Sequence, residues 1–263
     1  MVSVREFCSE VVAVEPVMGD AVLLTFLAPK ELVRSLKAGV FFEILCRTDG
    51  SCDPLLRRPY SIFRANPDEG TLTILVRPFG RGSGWLAQRQ IGSELNILGP
   101  LGNAYTVSPR TRHGLLVSGG VGVAPMVMLA DEAVAAGVSV TFLMGAATNE
   151  GLLSASLLPR EVEYVVATED GSGGYLGYVT EVVPEYVPWA DQVFACGPES
   201  MYRSLRNAAE PHRVQRRPAI QVSMERTMAC GVGACLGCVV KTRHGMKTSC
   251  VDGPVFDLDE VAW

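Results

Sequence analysis

Four cysteines near the end of the chain have the residue type and spacing of a metal centre. They are Cys230, Cys235, Cys238 and Cys250, in the pattern C-x4-C-x2-C-x11-C. A structural zinc site usually pairs two C-x2-C knuckles or adds histidines, and this segment has a single C-x2-C. The observed spacing is that of plant-type [2Fe–2S] centres. We therefore predict an iron–sulfur cluster, with structural zinc and a disulfide pair as the alternatives.

The composition limits the function classes. The 263 residues are 48% hydrophobic and 19% charged, which is typical of a globular protein with room for two domains and a small appendage. A net charge of −5 argues against nucleic-acid binding. The uncharged run at 115–130 is interrupted by glycines and a proline, which argues against a membrane span. The first residues lack a signal pattern, and eight cysteines then indicate reduced thiols, so we expect a cytoplasmic protein.

Residues 1–107 have the pattern of a β-rich domain. Short apolar runs are separated by Gly, Pro, Asn and Asp turns, and these runs are 11–14, 22–27, 41–45, 60–63, 72–76 and 95–98. Their number and spacing predict a closed antiparallel barrel with one helix near 85–89.

Three short segments of this barrel carry groups that suit a phosphate-bearing ligand. They are Arg58, Pro59, Tyr60 and Ser61; Leu75, Val76 and Arg77; and Gly82 with Ser83 as a helix cap. An arginine forks onto a phosphate, a tyrosine offers a face for ring stacking, and a helix start exposes N–H groups. Each segment alone also fits a plainer interpretation, as a turn, a solvated strand end or an ordinary cap. Together they predict a pyrophosphate cradle beside a stacking platform.

From about residue 112 the pattern changes to alternating strands and helices. The predicted strands are 115–118, 138–144, 164–167 and 192–195. A helix that ends at 136 follows the first strand, and the other predicted helices are 151–158, 178–184 and 199–209. Such repeats predict a parallel open sheet, which binds ligands beyond the carboxyl ends of its strands.

Glycine-rich strand ends lie on that predicted rim. Gly119, Gly120 and Gly122 follow the first strand, and Cys196, Gly197 and Pro198 follow the fourth. We predict that they bind a nicotinamide nucleotide, although tight packing and a buried small thiol explain them as well. No arginine follows the second strand in 145–149, which favours NAD over NADP.

The last segment is predicted to build the metal centre. A basic connector at 212–218 precedes a strand at 220–224 and then the cysteine loop. Residues 238–242 and 247–250 are predicted to pair as a hairpin that returns the fourth cysteine. We therefore divide the chain into a barrel (1–107), an α/β domain (108–211) and a cluster domain (212–263).

The motifs at 58–61, 119–125, and 230–238 with 250–256 occur in the order found in the ferredoxin reductase-like flavoprotein superfamily. Within it, almost the whole chain resembles the electron-transfer subunits of NAD-linked class 1B dihydroorotate dehydrogenases. The resemblance implies FAD on the barrel, NAD on the α/β domain and [2Fe–2S] on the four cysteines. The family usually has Gly-Thr where this chain has Gly82-Ser83, which keeps the hydroxyl.

The resemblance also implies a partner and a direction of chemistry. The partner is an FMN-containing subunit that oxidises dihydroorotate in pyrimidine (UMP) synthesis, with two copies of each subunit. Electrons would pass from FMN through the cluster and FAD to NAD+. Ser61 is then a candidate hydrogen-bond donor to the flavin and Cys196 a positioning residue. The alternatives are a related diaphorase subunit, of the sulfide dehydrogenase or hydrogenase type, and a zinc-bearing nucleotide-sensing module.

Overall fold

A six-stranded antiparallel barrel forms the first part of the protein, in a computed structural model that describes residues 4–48, 50–212 and 218–263. Its strands are β1 (Arg5–Met18), β2 (Ala21–Leu27), β3 (Phe41–Ile44), β4 (Arg58–Asn66), β5 (Thr71–Val76) and β6 (Glu94–Leu101). They close in the order β1-β2-β5-β4-β3-β6. Helix α1 (Lys30–Ser35), which the sequence did not predict, precedes β3, and α2 (Arg81–Ala87) precedes β6. The predicted barrel is confirmed.

Strand β3 shows how the barrel uses its two faces. Alternate side chains of a strand point to opposite sides. Phe42 and Ile44 accordingly lie in the main hydrophobic core. Phe41 instead packs outside the barrel, in a small cluster with Cys238 and Cys250. The outer wall of the barrel is therefore the surface on which the cysteine segment sits.

A seven-stranded sheet forms the second part. Its first six strands are β7 (His113–Gly119), β8 (Ser139–Ala146), β9 (Glu163–Thr168), β10 (Tyr175–Leu176), β11 (Gln192–Cys196) and β12 (Ala219–Ser223). A separate hairpin of β13 (Val239–Thr242) and β14 (Gly245–Thr248) follows, and β15 (Val255–Asp257) returns to the sheet. The order is β10-β9-β8-β7-β11-β12-β15, and every neighbouring pair is parallel except β12 with β15. The helices are α3 (Val123–Ala135), α4 (Val179–Tyr186) and α5 (Glu199–Ala209).

The helix predicted at 151–158 is wrong. The segment forms two short 3-10 turns, Asn149–Gly151 and Ala155–Leu157. Leu152 between them is extended (φ −86°, ψ 142°), and the Ser154 side chain accepts from the Ser156 N–H at the start of the second turn. This local capping stops helix propagation, as serine near a turn often does.

The last segment is joined to the seven-stranded sheet at both ends. Strands β12 and β15 flank the cysteine loop and pair with each other, and the predicted hairpin is confirmed as β13–β14. The three-domain division stays a prediction, and most of the basic connector (213–217) lies outside the described residues. Among the residues that the structure describes, none of the helices combines the length and the apolar composition that a membrane span requires.

Candidate functional site

A cleft of about 750 Å³ opens at the carboxyl ends of the parallel strands. Gly119, Gly120 and Gly122 line it from the end of β7, and Gly197 and Pro198 line it from the end of β11. The structure therefore brings together two loops that lie far apart in the sequence, at the rim where such sheets bind nucleotides.

Gly122 makes this rim possible through a close approach of two backbones. Its φ of −60° is open to any residue. A Cβ at this position, however, would lie 2.2 Å from the carbonyl oxygen of Cys196 and 2.8 Å from the nitrogen of Gly197. The absence of a side chain, and not an unusual backbone angle, lets the two loops meet.

A second cleft of about 560 Å³ lies on the barrel side. Its walls include five of the predicted residues, namely Pro59, Tyr60, Ser61, Leu75 and Arg77. Burial raises the pKa of the Tyr60 hydroxyl above its usual range, so the ring presents a neutral face to the cleft. A flat neutral ring beside a guanidinium suits a planar cofactor with a phosphate tail.

The other predicted barrel residues lie beside this cleft and not on its described walls. A Cβ on Gly82 would lie 3.2 Å from Arg58 Nε, so these two residues pack together at the start of α2. Val76 is buried in the barrel core. The prediction that Ser83 is the N-cap is wrong, because α2 begins earlier, after Gly80. Its hydroxyl instead accepts the Gly80 N–H at 2.9 Å from the first turn.

The two clefts meet at shared residues. Arg77, Val121 and Glu225 line both of them. Glu225 was missed by sequence reasoning because a single glutamate after a strand has no distinguishing pattern. Desolvation by the surrounding protein raises the pKa of its carboxyl.

Cys196 lies behind this junction. Its side chain is 1% exposed and does not line either cleft, and its Sγ is 3.9 Å from Glu225 Oε1. Burial raises the pKa of the Cys196 thiol well above its usual range. The thiol is therefore neutral, and it contacts Glu225, which lines both clefts.

The cysteine loop aims backbone N–H groups at its sulfurs. The N–H of Gly237 donates to Cys235 Sγ at 3.4 Å, and that of Cys250 donates to Cys238 Sγ at 3.4 Å. Hydrogen bonds from the backbone, first from Val232 and then from Cys235, lower the pKa of the Cys230 thiol to about 7. Such donors favour the thiolate form, which is the form that binds metals.

The donor set fits an iron–sulfur cluster. Within residues 4–48, 50–212 and 218–263, no three His, Cys, Asp or Glu side chains already sit close enough to hold a single ion. Cys238 and Cys250 are buried against the barrel, whereas Cys235 is exposed at the loop tip. Four thiols with N–H donors around them match the ligands and second-shell bonds of a [2Fe–2S] centre.

The cluster segment is joined to the barrel cleft by Met228. This side chain lines the barrel cleft and also packs with Cys238 and Cys250. The Ser249 hydroxyl donates to the backbone carbonyl of Met224 at 2.7 Å, which ties the loop to the strand end beside the same cleft. Three candidate binding regions thus lie in series. They are the cysteine loop, the cleft on the barrel side (the barrel cleft) and the cleft at the carboxyl ends of the parallel strands (the nucleotide cleft).

Comparisons with known proteins agree with this arrangement. The family model for the iron–sulfur cluster binding domain of dihydroorotate dehydrogenase B matches residues 225–262. A relative from Desulforamulus reducens, named dihydroorotate dehydrogenase B (NAD(+)), electron transfer subunit, is 34% identical over 98% of this chain and 99% of its own length. A protein of the same name from Geobacillus kaustophilus is 39% identical over 80% of this chain and 82% of its own.

Among solved structures, an NADH-dependent reduced ferredoxin–NADP oxidoreductase, studied for flavin-based electron bifurcation, has a similar fold. The TM-score is 0.84 at 27% identity, over 97% of this chain and 90% of that one. The ferredoxin reductase-like fold that the sequence predicted is confirmed.

Proposed function

This chain belongs to the family of dihydroorotate dehydrogenase B (NAD(+)) electron-transfer subunits, and we propose on that premise that it carries electrons from a dihydroorotate-oxidising partner to NAD+. The observation that supports this most directly is the serial order of the three regions. The cysteine loop adjoins the barrel cleft through Met228, and the barrel cleft joins the nucleotide cleft at Arg77, Val121 and Glu225.

Each region has a role in this proposal. Cys230, Cys235, Cys238 and Cys250 hold the [2Fe–2S] centre. The barrel cleft would hold FAD, with Tyr60 available to stack on the flavin, Ser61 available to donate a hydrogen bond, and Arg58, Gly82 and Ser83 available to bind its phosphates. The nucleotide cleft holds NAD between the two glycine-rich loops. These cofactors supply the redox chemistry, and the protein supplies binding, orientation and spacing.

Within the junction, the chain's own groups set the approach of nicotinamide to flavin. Gly122 lets the end of β11 come close enough to form one wall. Cys196 acts as a positioning residue, since its neutral thiol lies against Glu225 and not in the cleft.

We propose that the partner is an FMN-containing catalytic subunit and that the assembly contains two copies of each chain. The relatives' name, electron transfer subunit, implies a catalytic partner. We propose a cytoplasmic complex that acts in de novo pyrimidine synthesis.

The test is a reconstitution with dihydroorotate. The chain is loaded with FAD and cluster, mixed with an FMN-bearing dihydroorotate dehydrogenase from the same source and with NAD+, and NADH formation is followed by absorbance after dihydroorotate is added. We expect NADH only when both proteins and dihydroorotate are present. Full cofactor loading without dihydroorotate-dependent NADH would refute the proposed donor and favour a diaphorase with another partner.

A further inference from the structure

Glu43 is a carboxylic side chain sealed between the barrel and the cysteine loop. It is 0% exposed, and neither Oε1 nor Oε2 has a hydrogen-bond partner among the described residues. The nearby Arg57 donates to the backbone carbonyl of Glu43 at 3.4 Å and binds Glu6 at 2.9 Å, so it does not pair with the Glu43 carboxyl. A buried polar group without a partner is costly and calls for an explanation.

The direction of the Glu43 side chain points to the cysteine loop. On β3 it shares the outward face with Phe41, which packs with Cys238 and Cys250. A Cβ built on Gly231 would lie 3.0 Å from both Cδ and Oε2 of Glu43. Gly231 directly follows Cys230, so the carboxyl rests against the loop backbone beside that cysteine.

The burial of Glu43 decides which form of the carboxyl is present. An isolated carboxylate in such surroundings is far less stable than the neutral acid. Burial raises the pKa of Glu43, against the opposing effect of Arg57. A neutral acid has one O–H to donate and needs an acceptor on the loop side.

We propose that Glu43 tunes the iron–sulfur centre by donating a hydrogen bond to one of its sulfurs. This inference rests on the proposed ligation of a [2Fe–2S] centre by the four cysteines. A donor at a cluster sulfur stabilises the reduced, more negative form and therefore raises the reduction potential. The bond also gives the buried carboxyl the partner that it lacks.

The experiment compares three variants of the cofactor-loaded full chain by EPR-monitored redox titration. Glu43→Gln keeps the shape and an N–H donor, so we expect the wild-type potential. Glu43→Leu removes the donor, so we expect a shift to more negative potential. Glu6→Gln removes another carboxyl beside Arg57 that is exposed on the surface, so we expect no shift.

Two outcomes would overturn the inference. An unchanged potential in Glu43→Leu means that the carboxyl does not act on the centre. A shift to more positive potential in both Glu43 variants means that it acts as an anion and not as a donor. If Glu43→Leu loses the centre, Glu43→Asp decides, because withdrawing the donor by one methylene lowers the potential and an unchanged value refutes the bond.

The outcome also separates this inference from the proposed function. A wild-type chain without a [2Fe–2S] signal refutes the cluster ligation itself. A wild-type chain with that signal, whose potential ignores position 43, refutes only the role of Glu43.

Discussion

A single methyl group at Gly122 tests how the nucleotide cleft is built. In Gly122→Ala the new Cβ would start 2.2 Å from the Cys196 carbonyl oxygen, whereas real Cβ contacts stay beyond 3.0 Å. The end of β11 must therefore move away by about 1 Å, and a misplacement of this size lowers a rate by on the order of 100-fold. Overpacking against backbone also costs about 1–3 kcal/mol of stability.

Stopped-flow reduction of the bound flavin by NADH measures the effect. We expect kcat/KM for NADH to fall by about 100-fold in Gly122→Ala, with FAD and cluster content unchanged. Gly137→Ala is the control, because it adds a methyl group at a φ of +77° with nothing within 4 Å. It should cost about 1–2 kcal/mol of stability without changing the NADH kinetics. Wild-type kinetics in Gly122→Ala would refute the close-approach argument.

Three further changes probe the cluster, the nucleotide preference and the interface between barrel and sheet. Cys235→Ser should abolish the EPR signal of the centre while NADH still bleaches the flavin, and loss of bleaching with FAD bound would contradict separate roles. Arg77 is the one basic side chain among the described residues that line the nucleotide cleft, and Glu169 faces the same cleft. We therefore expect kcat/KM for NADH to exceed kcat/KM for NADPH by about tenfold or more. Glu169→Gln should reduce this NADH-to-NADPH ratio. An unchanged ratio would show that Glu169 does not contribute to the discrimination between the two nucleotides. Burial raises the pKa of Glu132, whose carboxylate accepts the Ala38 N–H at 3.0 Å. The native state then keeps a proton that the unfolded chain releases, so this group's contribution to wild-type stability is lost as pH rises from about 4.3 through the raised pKa. The Tm of Glu132→Gln relative to wild type should therefore increase over that range. A constant Tm difference would show that the pKa is not raised.

Local pattern was sufficient for most of the architecture. The apolar runs of the barrel and the βα alternation are short-range signals, and their strands formed where predicted. The cysteine spacing is also local, since three of the four cysteines fall within nine residues. The 151–158 helix failed because the Ser154 cap competes with helix formation.

The residues that lie between the cysteine loop, the barrel and the parallel sheet have no local sequence pattern that would identify them. Glu43 interrupts the run Phe41–Ile44 at a position where alternation predicts an outward, solvated side chain. The side chain is buried because the cysteine loop, which is distant in sequence, packs against this outward face of the barrel. Glu225 likewise becomes a candidate site residue only in the folded structure, where it lines both clefts.

The pairing of β12 with β15 has a consequence for how such proteins diversify. The chain leaves the sheet after Ser223 and re-enters at Val255, on the neighbouring strand, and the Met224 N–H donates to the Pro254 carbonyl at 2.7 Å. The two ends of the intervening segment are thus clamped side by side, as at sites that tolerate whole-domain insertion. A segment held in this way can be exchanged for one with other ligands, of another length, without altering the register of the nucleotide sheet. The segment between β12 and β15 is therefore a unit that can be replaced during evolution while the sheet that carries it is retained.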